Sequence, residues 1–473
     1  MEPTVFETHR PAARIVDASL ADTTLGVYWI EDVAHTAGSY PRLSANTTVD
    51  DAVVGGGYAG LWTAIKLKQE HPERRVALIE AVKVGWAASG RNGGFCEASI
   101  THGEANAEAR WPDEAEDLHR IGLANLDAIE RFIAEHELDV DWERTGQLSV
   151  ANHAHQVDWV GESSDPQTQV LGEAEVRARV NSPTFLAGAF SPRSNANVHP
   201  AKLAVALAKH ATSIGVEIYE GTPVERLAGR EDEPIVLETA RGHVTAQRVA
   251  LCTNVFPSLL KRYQFHTVPV YDYVLMTEPL SAEQLAAIGW EGREGLADMA
   301  NQFHYARLTS DNRILWGGYD AVYHAGGRIK RAYEDRMATH RQLASHFFTT
   351  FPQLAGVKFT HRWAGVIDTS TRFCAFFGKA YDGRVQYVAG FTGLGVGATH
   401  FAADVIVDRL EGRVTERTEL EMVRSIPLPF PPEPAATLGV NLVRWSLDRA
   451  DHNSGRRNVF LRALDAAGLG FDS

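Results

Sequence analysis

The sequence predicts an α/β protein organised around a dinucleotide-binding unit, and three stretches predict it. The first is Asp51-Ala-Val-Val-Gly-Gly-Gly-Tyr-Ala-Gly60, an apolar run into a glycine turn, followed by a helical pattern from Leu61 to Glu70. The second is Arg75-Val-Ala-Leu-Ile-Glu80, a strand closed by an acid about twenty residues after the turn. The third is the strand Val385 to Ala389, then Gly390-Phe-Thr-Gly-Leu-Gly-Val-Gly397 and a helix to about Leu410.

Gly55, Gly57 and Gly60 fill the three positions of the dinucleotide fingerprint. The first permits the sharp turn, the second lets backbone approach a pyrophosphate, and the third lets helix and strand pack closely. The phosphates then meet unpaired N–H groups at the helix N-terminus. Glu80 stands where a carboxylate accepts ribose hydroxyls.

At 473 residues the chain is too long for one core. Its 46 basic and 60 acidic side chains leave a net charge of -14, which argues against a nucleic-acid or anionic-membrane partner. Three scattered cysteines, Cys96, Cys252 and Cys374, are too few for a disulfide framework or a metal knuckle, so no metal is expected. Residues 1–30 lack a signal-peptide pattern and no run reaches membrane-spanning length, so a cytoplasmic protein is expected.

Taken in order, residues 1–48 read as an arm packed on the outside of the first domain. Gly85-Trp-Ala-Ala-Ser-Gly-Arg-Asn-Gly-Gly94 is a glycine-rich loop able to lie against a flat ring or a phosphate. Glu114 to Leu138 is helical, with Leu126, Ile129 and Ile133 on one face, and Asp139 to Ala151 is extended. His199-Pro200 opens a helix to Ile214. Short strands at Val216–Tyr219, Val224–Leu227, Ile235–Glu238 and Val244–Ala246 lead into Arg248-Val-Ala-Leu-Cys-Thr-Asn254, a buried strand whose end faces a ligand. Val268–Thr277 and Phe303–Thr309 alternate as half-buried strands, and Ile314–Tyr319 follows a turn. Lys330 to Phe351 is helical, Arg372 to Phe377 is a buried strand, Pro427 to Pro434 is a stiff linker, and the remainder is helical.

Together these pieces resemble the FAD-dependent amine oxidases of the D-amino-acid-oxidase superfamily, in particular the gamma-glutamylputrescine-oxidase-like branch. The residues that carry the likeness are Val54-Gly-Gly-Gly-Tyr-Ala-Gly60, Ala88-Ser-Gly-Arg-Asn-Gly-Gly94, Val198-His-Pro200, Leu251-Cys-Thr-Asn254 and Gly390-Phe-Thr-Gly-Leu-Gly395. The resemblance implies a Rossmann-like FAD-binding domain of the GR2 type, interleaved with a substrate domain on an antiparallel sheet. The expected division is an arm at 1–48, an FAD-binding domain at 49–115, 190–265 and 360–425, a substrate domain at 116–189 and 266–359, and a helical tail at 426–473. FAD, bound without a covalent link, would contact Gly55, Gly57, Tyr58, Ala59, Gly60 and Glu80 at its pyrophosphate and ribose. Ala88, Ser89, Arg91, Asn92, Gly93 and Gly94 would run beside the ribityl chain and the ring. Val224 would offer its backbone to the adenine, and Thr253, Asn254 and Gly365 would also contact the cofactor. Gly390, Thr392, Gly393, Leu394, Gly395 and Val396 would form the turn whose N–H groups stabilise charge on the reduced flavin.

The implied reaction is oxidation of a C–N bond in a small primary or secondary amine, with O2 as acceptor. It needs an apolar box, for which Tyr271, Tyr273, Trp316 and Trp363 are the catalytic candidates, beside Phe303 and Tyr305; packing is the competing role for each. His102, His304, His361 and His400 are equally open to a structural role. The lysine that assists oxygen in the sarcosine-oxidase branch corresponds here to Trp316, and the lysine that pairs with a substrate carboxylate to Gly397. An amine without an α-carboxylate is therefore expected, with Arg91 and Arg307 as possible substitutes for the missing charge. The cysteine tether of some relatives corresponds to Trp363, so Cys374 is expected to be a packed hydrophobe. Three alternatives stay open: an FAD-dependent amine or amino-acid dehydrogenase with another acceptor, a nicotinamide-dependent dehydrogenase, and a flavoprotein that works by binding a partner. The nicotinamide reading leaves the Gly390–Gly397 loop and the Leu251–Asn254 strand end unexplained.

Overall fold

A computed structural model describes residues 2–161, 167–230 and 232–470. The stretch at 162–166, within the expected substrate domain, and the tail residues 471–473 lie outside the described residues. The architecture is mixed α/β, with two large sheets sharing one cavity.

The first sheet is built on the predicted dinucleotide unit. Strand Thr47–Val54 lies between Val76–Ile79 and Gly242–Leu251, and Glu217–Tyr219 and Val385–Ala389 extend the parallel ladder outward. The pieces read as Val244–Ala246 and Arg248–Leu251 are one continuous strand. Its first half pairs with Ile235–Thr239 in a hairpin, and its second half runs beside Val385–Ala389. Helices Tyr58–Glu70, Pro200–Ser213 and Gly395–Leu410 share a core over one face, to which Leu61, Leu207 and Phe401 contribute. Leu118, Leu126, Ile129 and Ile133 of helix Ala115–Glu135 join the same core. That helix, expected in the substrate domain, therefore packs with the dinucleotide unit.

The second sheet is mostly antiparallel, and its longest pairing joins Val268–Thr277 to Phe359–Thr369. The expected division put residues from 360 onward in the FAD-binding domain; this strand instead belongs to the second sheet along its length. One face of the sheet is covered by helix Met337–Thr350, with Phe347 and Leu343 in the core. Residues 330–336 do not continue that helix, because a short 3-10 turn at Arg331–Tyr333 precedes a break. The N-terminal arm does not stay outside the first domain. Val16 and Leu20 enter the second sheet's core, Thr24–Leu25 adds an edge strand, and Trp29 is buried beneath the glycine-rich loop.

Beyond the sheets, strand Phe376–Ala380 begins later than predicted, which leaves Cys374 in the buried turn before it. Helices Ala435–Asp451 and Val459–Ala466 follow the proline-rich linker. Among the described residues no helix is long and apolar enough to cross a membrane.

Candidate active site

A cavity of about 1240 Å³ opens at the C-terminal ends of the parallel strands and runs across one face of the second sheet. It exceeds the ~300–1,000 Å³ of ordinary small-molecule sites, leaving room for a dinucleotide and a substrate together. At one end it is lined by Gly55, Gly57, Tyr58, Ala59, Glu80, Val224, Thr253 and Asn254. Ala88, Ser89, Arg91, Asn92, Gly93, Gly365, Thr392, Gly393, Leu394, Gly395 and Val396 line its middle. Of the expected cofactor contacts, Gly60, Gly94 and Gly390 lie behind the wall, each held by close packing. A Cβ on Gly60 would stand 1.9 Å from the Gly55 carbonyl oxygen, and one on Gly94 would stand 2.3 Å from that of Val198. One on Gly390 would lie 2.9 Å from the Ser370 Cβ.

The turn is fixed by the acid after the second strand. Glu80 accepts hydrogen bonds from the Gly56 and Val82 N–H groups, each at 2.7 Å, and from Trp86 Nε1 at 3.0 Å. Burial raises its carboxyl pKa, and those donors oppose the rise. Thr253 Oγ1 and Asn254 Oδ1 are buried with no protein partner, at a strand end where a ligand's polar groups can satisfy them. These orphaned atoms and the bare glycine cradle fit the dinucleotide half of FAD.

The Arg91–Gly94 loop is held from behind by three buried donors. Trp363 Nε1 donates to the Arg91 carbonyl at 2.8 Å, Trp29 Nε1 to that of Asn92 at 3.0 Å, and Arg307 Nη1 to that of Gly94 at 2.8 Å. Asn92 stiffens the loop further, donating to the Ala88 and Ser89 carbonyls and accepting from the Gly94 N–H. Ser89 Oγ accepts from the Tyr58 N–H at 3.0 Å. The second glycine turn is anchored by Asp368, which no sequence pattern singled out. Its carboxylate takes the Gly390 N–H at 2.6 Å together with those of Phe391 and Thr392, while burial pushes its pKa up to about 6. The carboxylate thus stores the loop's first N–H groups, and the first turn of helix Gly395–Leu410 keeps its own available.

The aromatic box is placed differently from expectation. Tyr271, Tyr273 and Trp316 point away from the cavity into the helix-covered core. On the strand of the two tyrosines, Val268, Val270 and Asp272 face the cavity instead. The strand's period of two decides this, because a hydrophobic pattern does not say which parity meets the ligand. The Tyr271 and Tyr273 hydroxyls donate to the Lys330 and Tyr333 carbonyls. Trp363 shares the cavity's face of the sheet but lies under the loop, among Trp29, Val274, Met276 and Leu315. Of the six aromatics, Phe303 and Tyr305 line the cavity. The histidines divide likewise. His102 lines the wall, His304 bridges Asp298 and His346, His361 meets Glu31, and His400 is held by Asn125 and Lys66.

Tyr305 donates a short hydrogen bond to Asp272. Asp272 is enclosed by protein but opens on the cavity, and burial pushes its carboxyl up to about 6 against donors that include Tyr305. The charged residues expected to read a carboxylate are committed elsewhere. Arg91 Nη1 pairs with Glu334 at 2.8 Å, and Arg307 is buried against the Gly94 and Val198 carbonyls. Cys374 is buried off the cavity, with burial raising its thiol pKa; Cys252 lines the dinucleotide end with its thiol pushed up to about 12. The roof comes from the tail, where Val440, Val443, Leu447 and Leu461 face inward. A stiff proline-rich linker followed by generic helical spacing gave no sign of that role.

A Gly57→Val variant should be folded but colourless, retaining less than about a tenth of the wild-type flavin. Its Cβ would already stand 2.8 Å from Ser89 Oγ, and the two methyls would fill the phosphate approach. Full flavin content in the purified variant, measured by absorbance, would show that the turn is structural only.

A family profile described as DAO, FAD dependent oxidoreductase, matches residues 50–409. Gamma-glutamylputrescine oxidoreductase of Escherichia coli strain K12 is 31% identical over 387 residues, covering 79% of this chain and 86% of that protein. The crystal structure of glycine oxidase from Geobacillus kaustophilus superposes with a TM-score of 0.64 at 20% identity, covering 80% of this chain and 100% of that one. That of L-proline dehydrogenase from P. horikoshii superposes with a TM-score of 0.63 at 17% identity, covering 80% and 96%. The profile spans both glycine turns and both sheets' central strands, and on that ground the chain belongs to the DAO family of FAD-dependent oxidoreductases, with FAD as its cofactor.

Proposed function

We propose that the protein is an amine oxidase acting on a primary or secondary amine that carries no α-carboxylate. The observation that supports this most is the cavity's charge. Beyond the dinucleotide cradle its wall presents Asp272 with Tyr305, while Arg91 and Arg307 are locked in other pairs and Gly397 offers no cation. The relative named for gamma-glutamylputrescine is consistent with an amine substrate. FAD would supply the two-electron sink, taking hydride from the carbon beside nitrogen, after which the imine hydrolyses and O2 is reduced to hydrogen peroxide.

The chain's own part is binding and proton management. Val268, Val270 and Ile367 give the substrate's carbon chain an apolar floor. The Tyr305 hydroxyl, oriented by its bond to Asp272, keeps lone pairs for an N–H of the amine. Tyr305 is held neutral, its pKa raised by burial and by the adjacent Asp272. A proton leaving the ammonium can therefore pass through the phenol to the Asp272 carboxylate, so the amine reacts uncharged. The carboxylate must be ionised to accept it, which requires pH above its pKa of about 6.

Anaerobic stopped-flow mixing with amines tests this. Polyamine-like and aryl-alkyl amines should bleach the flavin faster than sarcosine or simple α-amino acids; the reverse order would sink the proposal. The rate should rise with pH through about 6, and Asp272→Asn should remove that limb and slow reduction about 10²–10⁴-fold at pH 8. Reoxidation by O2 is expected to be slow to moderate, because no lysine lines the cavity among the described residues. A rapid, diffusion-like reoxidation would contradict it. Because Cys374 faces away from the cavity, acid precipitation should release free FAD into a yellow supernatant; a yellow pellet with FAD mass on a cysteine peptide would overturn non-covalent binding.

A further inference from the structure

We propose that Glu97 makes this cavity selective for amines bearing a second cationic group, aliphatic diamines above all, by pairing with the charge remote from the reacting carbon. The inference rests on the amine-oxidation reading and adds to it the substrate's second feature.

Glu97 ends the short strand Phe95–Glu97, which pairs antiparallel with Asn195–Asn197. Alternation sends Cys96 into the core and turns Phe95 and Glu97 to the cavity. The strand is pressed against the start of helix Gly395–Leu410, since a Cβ on Gly397 would lie 2.5 Å from the Glu97 carbonyl oxygen. That contact leaves the backbone little freedom to withdraw the carboxylate.

Apart from Glu225, which is exposed to solvent beside Val224 at the dinucleotide end, the other acids on the cavity wall each have donors from the protein. Glu80 takes Gly56, Val82 and Trp86; Asp272 takes Tyr305; Asp298 takes His304 at 2.7 Å; Asp368 takes the Gly390 N–H. Glu97 differs. Among the described residues no hydrogen bond or ion pair reaches its carboxylate, and burial alone pushes its pKa up to about 7. The Glu97 side chain is half-buried and opens on the cavity, so a substrate that displaces water from it would leave the carboxylate costly unless the substrate supplies a partner. The cations that share the wall are already committed, Arg91 to Glu334 and Arg444 to Asp320. The missing charge must come with the ligand.

Placement supports a second recognition point. The Phe95 ring meets the Tyr305 ring at a centroid distance of 5.6 Å, and Glu97 lies a further two residues along the same face, a step of about 7 Å. Asp272 with Tyr305 and Glu97 thus bracket an aromatic surface over which a methylene chain can lie. A diamine would place one nitrogen at each end.

The test compares 1,3-diaminopropane to 1,6-diaminohexane with the monoamine of equal chain length, in wild type, Glu97→Gln and Glu97→Asp holoenzyme of verified flavin content. In wild type kcat/KM should favour the best diamine over its monoamine by about tenfold or more, as expected for pairing a charge on the cavity wall. Glu97→Gln should bring that ratio near one, and Glu97→Asp should keep part of it. Calorimetric titration of the same diamine should show affinity falling in parallel in Glu97→Gln. A ratio unchanged in flavin-replete Glu97→Gln, or a wild type without the preference, overturns the inference while leaving amine oxidation standing. Diamine binding that depends on Glu97 with no flavin reduction by any amine leaves this site standing and overturns the oxidation reading.

Discussion

The constraint on which the rest of the molecule depends is the approach of helix Tyr58–Glu70 to the strand Thr47–Val54. A Cβ at Gly60 would stand 1.9 Å from the Gly55 oxygen, so only glycine lets the helix begin this low over the strand end. Gly55 itself takes φ 112°, a conformation that L side chains resist. Glu80 then ties the turn to the next strand through the Gly56 N–H. Helix, turn and acid are thereby fixed as one body, and the cavity's dinucleotide end is shaped by backbone.

The second sheet meets that body through loops held from both sides. Trp29, Trp363 and Arg307 each take one carbonyl of the Arg91–Gly94 loop, and Asp368 takes N–H groups of the turn after Val385–Ala389. Opposite backbone polarities are thus absorbed behind the two loops. Pre-paired groups of this kind spare the site a reorganisation when charge develops in it. Trp363, chosen from sequence as a wall of the substrate box, acts one layer back as a positioning residue for the loop.

Charge distribution then separates structural acids from those left for a ligand. Four of the wall's carboxylates are satisfied by protein donors, whereas Glu97 is half-buried on the cavity with none among the described residues. On the proposed reading, a site with this balance would favour cations and disfavour carboxylates by leaving the latter's charge unpaired.

How much of this was legible in the sequence follows from the range of each interaction. The two strand–glycine-turn–helix units, the acid at Glu80 and the helix opened by His199-Pro200 depend on residues near in the chain, and local periodicity determined them. The cavity-lining glycines followed from the same motifs. Which face of Val268–Thr277 meets the ligand did not, because alternation fixes two faces but only packing against helix Met337–Thr350 chooses between them. The strand Phe359–Thr369 joined the second sheet through a partner about ninety residues away in sequence, beyond any local signal. Glu97, Asp368 and the tail's roof became visible only in the fold, since a carboxylate's role depends on which donors reach it. Sequence by itself determined the dinucleotide frame, where short-range sterics of glycine rule. Tertiary structure decided the substrate end, where long-range pairing sets which side chains face the cavity and which charges go unanswered.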